Sequence, residues 1–221
     1  MIKAVVFDVD GTIVDSVDLH AEAWQEAFKK FGKEVDLQAV RRQIGKGADQ
    51  LLPVFFSKRE LDEFGATLDK YRGALFKKKY MPRVQAFLKV RELFERIRQG
   101  GKRIALASSA KEDELASYKK IARIDDLVDA ETSSDDAERS KPDPDIVVAA
   151  LEKSGSSPDR AIMIGDTPYD IEAARRAGLA TIAFRCGGRD DAALQGSIAI
   201  YDDPKQLLDR LGQSPFYTET S

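Results

Sequence analysis

Two carboxylates directly follow the first apolar run of the chain. Residues 2–7 are strand-forming, and Asp8, Val9 and Asp10 come next. Residues i and i+2 of a strand point to the same side, so the two carboxylates begin close together. Like charges at that distance repel each other unless a cation or a proton lies between them. The spacing therefore predicts a metal ion or a proton here, although D-x-D-G-T alone also fits an ordinary Asx turn.

Hydroxyls and a lysine occur after later segments. Ser108 and Ser109 end an apolar run just before a predicted helix, where a hydroxyl and free backbone N–H groups can bind phosphate. An N-cap role explains the same serines equally well. Lys141 precedes Pro142 on a turn stiffened by two prolines, which favours a positioned charge over a mobile surface lysine. Residues 143 and 144 are predicted to be the N-cap and first position of the next helix.

Two more acids follow the apolar run 162–164. Asp166 stands at the end of that run, and an unpaired charge there would cost several kcal/mol, so the carboxylate needs a partner. Asp170 has a simpler explanation, because Thr167 and Asp170 flank Pro168 in an arrangement typical of a capped helix start.

The elements that carry these residues alternate between strand and helix. Six short apolar runs are separated mostly by helical segments that end at glycine, the usual helix stop. Such alternation indicates a parallel sheet covered on both faces, in which ligands bind at the carboxyl ends of the strands. The runs are residues 2–7, 103–107, 127–130, 161–164, 180–184 and 198–200, and the helices between them are 84–99, 145–153 and 170–177.

Residues 15–82 interrupt this alternation with helices alone. Segment 16–31 is amphipathic, and a capping box at residues 57–60 begins a long helix that ends before Pro82. Between them lies the glycine-bearing loop 44–47. The sequence predicts an α/β protein with a Rossmann-like core of residues 1–14 and 83–221 and an inserted all-α cap of residues 15–82. The last residues, 214–221, are predicted to fray.

Composition excludes several classes of function. The chain has 221 residues, a formal net charge of −3 and one cysteine. That charge argues against nucleic acid as a partner, and the lone Cys186 argues for a reducing compartment. No apolar stretch approaches the ~20 residues that cross a bilayer. We expect a cytoplasmic protein, a monomer or a weak dimer, that does not bind membranes.

With all these segments in this order, the sequence resembles the haloacid dehalogenase superfamily, in particular its phosphatases with a small helical cap. The resemblance covers essentially the whole chain. It implies that Asp8 is a nucleophile that forms an aspartyl-phosphate, and that Mg²⁺ is held by Asp8, Asp166 and the backbone carbonyl of Asp10. Asp10 would be the general acid and base, with its pKa raised by the neighbouring anions.

The resemblance also implies roles for the remaining residues. Asp170 would hold Lys141 or metal-bound water. His20 and Lys46 are candidate cap or substrate residues, with helix packing the alternative for His20. The predicted phosphate-binding residues are Ser108, Ser109, Lys141, Gly11 and Thr12. Ser108 and Lys141 are also predicted to be catalytic, with Asp8 and Asp10, because they would hold the phosphoryl oxygens in the transition state.

Three functions remain open at this point. The favoured one is a phosphatase of small phosphorylated metabolites. The second is a phosphosugar mutase of the β-phosphoglucomutase type, which residues 7–24 resemble, although Ala48 stands near the position where that enzyme typically has an arginine. The third is a non-catalytic phospho-receiver or binding protein, and the chain is nearly twice as long as such a domain.

Overall fold

The structure, a computed structural model, describes residues 1–217 and is built on a six-stranded parallel sheet. The strands of this sheet are β1 (Ala4–Phe7), β4 (Arg103–Ala107), β5 (Ala130–Thr132), β6 (Ala161–Gly165), β7 (Ala180–Phe184) and β8 (Ala199–Tyr201). Their spatial order is β5-β4-β1-β6-β7-β8. The predicted α/β class is confirmed.

Helices cover both faces of the sheet because successive strand residues alternate between them. Val5 and Phe7 contribute to the apolar cluster on one face, whereas Ala4 and Val6 contribute to the cluster on the other. The core helices are α6 (Val90–Gln99), α7 (Glu112–Ala122), α8 (Asp145–Ser154), α9 (Pro168–Arg176) and α10 (Pro204–Asp209).

The register of the central strands brings three chain segments to one edge. Phe7 lies opposite Leu106 of β4 and opposite Ile164 of β6. The backbone N–H of Asp8 donates to the Ile164 carbonyl at 2.8 Å, which extends the pairing by one residue. The residues that follow β1, β4 and β6 therefore leave the sheet side by side.

Residues 17–83, which we call the helical insertion, have an apolar core of their own. Trp24, Phe28, Leu51 and Leu68 are among its buried members. The predicted capping box is confirmed, since Ser57 and Glu60 exchange hydrogen bonds between side chain and backbone. The helices are α1 (Val17–Lys30), α2 (Leu37–Arg41), α3 (Ala48–Leu51), α4 (Lys58–Glu60) and α5 (Ala66–Leu75), with π-helical turns at Leu61–Gly65 and Phe76–Tyr80.

A short antiparallel ribbon joins the insertion to the sheet domain, and it corrects one prediction. Strand β2 (Val14–Asp15) pairs with β3 (Gln85–Ala86). The helix predicted for residues 84–99 therefore begins only at Val90, because its first residues are used in this pairing. The strand predicted at 127–130 is also displaced and begins at Ala130.

Two further predictions are wrong. Residues 143 and 144 do not begin the helix: α8 has Pro144 as its N-cap, and Asp143 forms ion pairs with Arg139 and Arg176. The predicted fraying fails for the last described residues, since Phe216 and Tyr217 are buried in the sheet core. Residues 218–221 lie outside the described part. Among residues 1–217, no helix is long and apolar enough to cross a bilayer.

Candidate active site

Three carboxylates meet at the edge formed by β1 and β6. Asp8 follows β1, Asp166 follows β6, and Asp170 lies in the first turn of α9. One oxygen from each lies within 4.8 Å of the others, and all three residues are buried. Carboxylate oxygens this close are the ligands that hard divalent cations such as Mg²⁺ take. The cluster could therefore hold a metal ion.

Lys141 reaches the same cluster from the loop before α8. Its Nζ donates to Asp8 Oδ1 at 2.5 Å and to Asp170 Oδ1 at 2.8 Å, and the residue is completely buried. Burial alone would lower the pKa of Lys141, but the charges of Asp170 and Asp8 raise it above its usual range. Burial raises the pKa of Asp8 to about 7, against the opposing effect of Lys141. The positioned lysine that the prolines predicted is thus in contact with Asp8.

Asp166 has one oxygen that is not paired. Thr12 Oγ1 lies 3.2 Å from Asp166 Oδ1, but within residues 1–217 the buried Oδ2 has no hydrogen-bond partner. A Cβ at Gly187 would lie 1.7 Å from Oδ2, and one at Gly11 would lie 2.4 Å away. Burial and the charge of Asp8 raise the pKa of Asp166 well above its usual value. An orphaned carboxyl oxygen packed against two glycines fits a cation ligand.

The surroundings of Asp10 contradict the prediction that its pKa is raised. Its Oδ1 accepts from Ser16 Oγ at 2.5 Å and lies 3.0 Å from His20 Nε2. Burial would raise the pKa of Asp10, but the charge and hydrogen bond of His20 and the hydrogen bonds of Ser16 and Tyr118 lower it overall. The expected increase from neighbouring anions is wrong for this arrangement, because Asp10 faces donors instead of the other carboxylates.

His20 connects the helical insertion to this group. Its ring stacks on Phe76 with centroids 3.9 Å apart, and Nε2 also lies 2.8 Å from the Tyr118 hydroxyl of α7. His20 therefore packs between helices, as the alternative interpretation predicted, and it also contacts Asp10, whereas its role as a cap or substrate residue stays a prediction. Tyr118 was missed, because its position four residues after Glu114 gives no sign that the helix faces the site.

The serines differ in their surroundings. Ser108 Oγ accepts from the Ala110 backbone N–H at 3.1 Å, so the side chain fixes the loop after β4. Within the described residues, the buried Oγ of Ser109 has no hydrogen-bond partner. Thr12 Oγ1 lies 3.1 Å from Asp8 Oδ2 as well as near Asp166. Neither serine is the N-cap of α7, which begins at Glu112.

A cavity of ≈ 40 Å³ lies between the sheet edge and the helical insertion. Asp8 and Asp10 line it from below, and the insertion closes it from above with Gly45, Lys46 and its neighbours. Lys46 donates to Gln43 at 2.7 Å, and partial burial lowers its pKa. The volume has room for roughly three water molecules.

Two charged residues of this cavity were missed by the sequence analysis. Arg72 lines it from α5 and Glu114 from α7, and both are buried. A signal for Arg72 was present: it lies midway between Leu68 and Phe76 on a stripe of i, i+4 positions that is otherwise apolar. A charge in the middle of such a stripe needs a buried partner.

Known proteins are similar to this chain in sequence. Residues 5–184 match the family model described as haloacid dehalogenase-like hydrolase. The chain is 29% identical, over 99% of both chains, to a phosphoglycolate phosphatase of Rhodospirillum rubrum. It is 29% identical, over 96% of both chains, to an N-acetylmuramic acid 6-phosphate phosphatase of Pseudomonas aeruginosa.

A solved structure agrees with these relatives. The crystal structure of a hydrolase from Pseudomonas syringae superposes with a TM-score of 0.87 at 26% identity, over 96% of this chain and 98% of the other. The family match covers residues of both the sheet and the helical insertion, and it ends with β7. The chain belongs to the haloacid dehalogenase-like hydrolase family, as the motifs at its strand ends predicted.

Proposed function

We propose that this protein is a Mg²⁺-dependent phosphatase of small phosphorylated metabolites, with Asp8 as the nucleophile. The observation that carries the proposal is the buried cluster at the sheet edge, in which Asp8 lines the cavity, accepts from Lys141 and lies beside Asp166 with its unpaired oxygen. A carboxylate is already ionised when a cation is beside it, so it attacks phosphorus without a base to activate it. Two relatives are named as phosphatases of small phosphorylated compounds, phosphoglycolate and N-acetylmuramic acid 6-phosphate, and these names support this class of substrate.

Asp8, Asp166 and the backbone carbonyl of Asp10 would hold the metal ion. Asp170 is less suited to direct ligation, because it accepts from Thr167 N at 3.0 Å and from Thr167 Oγ1 at 2.6 Å, as well as from Lys141. When bound, Mg²⁺ supplies positive charge that lets an anionic nucleophile approach an anionic phosphoryl group.

The protein's own groups then bind and orient the phosphoryl group. Lys141 Nζ and the hydroxyl of Ser109 are placed to donate to its oxygens, where charge develops in the transition state. Ser108 holds the loop that presents Ser109, and Asp170 fixes Lys141. Attack by an Asp8 oxygen forms the new P–O bond as the bond to the leaving alcohol breaks.

Asp10 would be the general acid in the first half-reaction and the general base in the second. Its proton goes to the leaving alcohol, and Asp10 then accepts a proton from the water that hydrolyses the aspartyl-phosphate. The carboxylate is held for the second step by Ser16 and His20. A bound phosphoryl dianion nearby would favour the protonated form that the first step needs.

The helical insertion would act as a cap that opens for substrate. The insertion covers the cavity that Asp8 and Asp10 line, and we expect it to move as substrate enters. Arg189 and Tyr169 of the sheet domain hold the cap closed, since Arg189 Nη2 donates to the Arg42 carbonyl at 2.9 Å and Tyr169 donates to the same oxygen at 2.8 Å. A closed cap excludes water and large substrates.

The mutase alternative differs in where the phosphoryl group goes. A phosphatase transfers it from Asp8 to water, whereas a mutase transfers it to a second hydroxyl of a sugar phosphate. Phosphorus NMR of the products separates the two, because only the phosphatase accumulates inorganic phosphate.

Changing the nucleophile tests the central assignment. We expect Asp8→Asn to lower the kcat for p-nitrophenyl phosphate with Mg²⁺ by several orders of magnitude, because the amide cannot form the aspartyl-phosphate. The exposed Asp62→Asn serves as the matched control and should retain wild-type turnover. A folded Asp8→Asn variant with more than a tenth of wild-type activity would show that another group attacks phosphorus.

The raised pKa of Asp8 predicts that the stabilisation of the protein by Mg²⁺ depends on pH. An acid whose folded pKa is about 7 disfavours its charged form, so the metal-free protein loses stability as pH rises from about 4 to 7. Protons compete with Mg²⁺ for the same oxygens. A hundredfold excess of Mg²⁺ over its dissociation constant should stabilise the protein at pH 8 by about 2.7 kcal/mol, or raise Tm by roughly 5–10 °C, and do so much less at pH 5.

Asp166→Asn provides the comparison for that melting experiment. The variant loses a metal ligand and a buried negative charge, so we expect a higher Tm than wild type without metal at pH 8 and little response to Mg²⁺. An undiminished Mg²⁺ response in this variant would place the metal elsewhere.

Substitution of Arg189 tests whether its contacts with the helical insertion hold the cap closed. Arg189→Ala removes donors to the carbonyls of Arg42 and Ile44, so the closed state should be less populated and KM should rise, by roughly threefold to tenfold. Arg175→Ala is the control, because Arg175 pairs only with Glu172 on its own helix among the described residues. Equal KM values for the two variants would refute a closing role for Arg189.

A further inference from the structure

Arg72 and Glu114 meet across the cavity from opposite sides of the molecule. Arg72 belongs to α5 of the helical insertion and Glu114 to α7 of the sheet domain. Arg72 Nη1 lies 3.5 Å from Glu114 Oε1, and the two side chains are only 10% and 1% exposed. Both line the same cavity as Asp8 and Asp10.

The polar atoms of this pair are poorly satisfied. Within residues 1–217, Nε and Nη1 of Arg72 and Oε1 of Glu114 have no hydrogen-bond partner. The same holds for Asp69 Oδ1, which lies 3.7 Å from Arg72 Nη2. Donors and acceptors that are buried and unpaired are costly in a folded protein, so each such group needs an explanation. Here they occur together, beside a cavity that substrate is proposed to enter.

The orientation of Arg72 is fixed by packing. Its guanidinium carbon lies 4.7 Å from the centroid of the Trp24 ring, a cation–π contact that holds the planar group in place. Trp24 also lines the cavity. A guanidinium held in this way presents a fixed set of donors, which favours specific recognition.

The charges around Arg72 favour a neutral ligand over an anion. Arg72 and Lys111 carry two positive charges, and Asp69 and Glu114 carry two negative charges, with Lys111 Nζ 2.9 Å from Asp69 Oδ2. An additional anion would have to lie beside the buried Glu114 carboxylate, where the charges of Arg72 and Lys111 are already balanced by those of Glu114 and Asp69. A hydroxyl group, in contrast, can accept from the guanidinium and donate to the carboxylate at the same time.

We propose that Arg72 and Glu114 form a subsite for hydroxyl groups on the leaving part of the substrate. The inference rests on the proposed phosphatase function and narrows its substrate class to monophosphates of sugars and polyols. Adjacent hydroxyls bridge the guanidinium and the carboxylate, and they satisfy groups from both halves of the closed molecule. Binding of such a substrate therefore favours closure of the insertion over Asp8.

Two five-carbon substrates test this subsite. Ribitol 5-phosphate carries hydroxyls on every remaining carbon, and n-pentyl phosphate carries none. We expect wild type to prefer ribitol 5-phosphate by at least tenfold in kcat/KM, since a site built for hydroxyls rejects an analogue without them. Glu114→Gln should abolish most of that preference while the kcat/KM for n-pentyl phosphate changes less than threefold. The exposed Glu112→Gln on the same helix is the control.

A double variant distinguishes a loss of substrate preference from a folding defect. Removing Arg72 alone leaves a buried carboxylate unpaired, whereas Arg72→Gln with Glu114→Gln removes both charges together. The double variant should melt near wild type and lose the preference for ribitol 5-phosphate. Equal losses on both substrates would show that the pair only positions the insertion. A preference for phosphoglycolate that disappears in Arg72→Gln and increases in Glu114→Gln would identify an anion site, and either result overturns the proposal.

Binding measurements separate this inference from the proposed reaction. The Asp8→Asn variant can be titrated with each phosphate ester in buffer that contains Mg²⁺. Isothermal titration calorimetry should show that it binds ribitol 5-phosphate at least tenfold more tightly than n-pentyl phosphate. Adding Glu114→Gln should remove the difference. That result supports the subsite even if wild type releases no phosphate, whereas equal affinities overturn it even if wild type is an active phosphatase.

Discussion

The repulsion among the carboxylates at the end of the sheet is the constraint on which the rest of the structure depends. Asp8, Asp166 and Asp170 are buried within 4.8 Å of one another, with the ammonium group of Lys141 beside two of them. When all four groups are ionised, three negative charges and one positive charge give the cluster a net charge of −2. Burying charges that are not compensated costs several kcal/mol per ion. In the proposed function, a bound divalent cation would carry the compensating charge.

The backbone around Asp166 is shaped by the same constraint. Gly11 has φ of +82°, a conformation that favours glycine, and both Gly11 and Gly187 lie where any side chain would contact the Asp166 carboxylate. Residues that are locally unfavourable are expected at functional sites, where stability is given up for chemistry. The unpaired oxygen of Asp166 belongs to this group of features, because an apolar side chain there would avoid the cost altogether.

Sequence alone was sufficient for the parts of the site that depend on strand order. Asp8 and Asp166 follow apolar runs, and parallel strands bring their carboxyl ends to one edge, so their proximity follows from the alternation of strands and helices. The contacts of Asp10 could not be predicted in this way. They depend on how α1 packs on α7, which places His20 against Tyr118 across 98 positions of sequence. The expected rise in the pKa of Asp10 failed for that reason.

In the proposed reaction, the helical insertion would take part in both proton transfer and recognition. His20, from α1, contacts Asp10 at 3.0 Å, and Arg72, from α5, lies 3.5 Å from Glu114. Both contacts join the insertion to the sheet domain, so movement of the insertion would break them together. Opening would then remove the donor that lowers the pKa of Asp10 and would expose the reacting carboxylates to water. Because the leaving group would contact Arg72 and Glu114 only when the cap is closed, recognition of the correct substrate and assembly of the proton-transfer group would occur in one step.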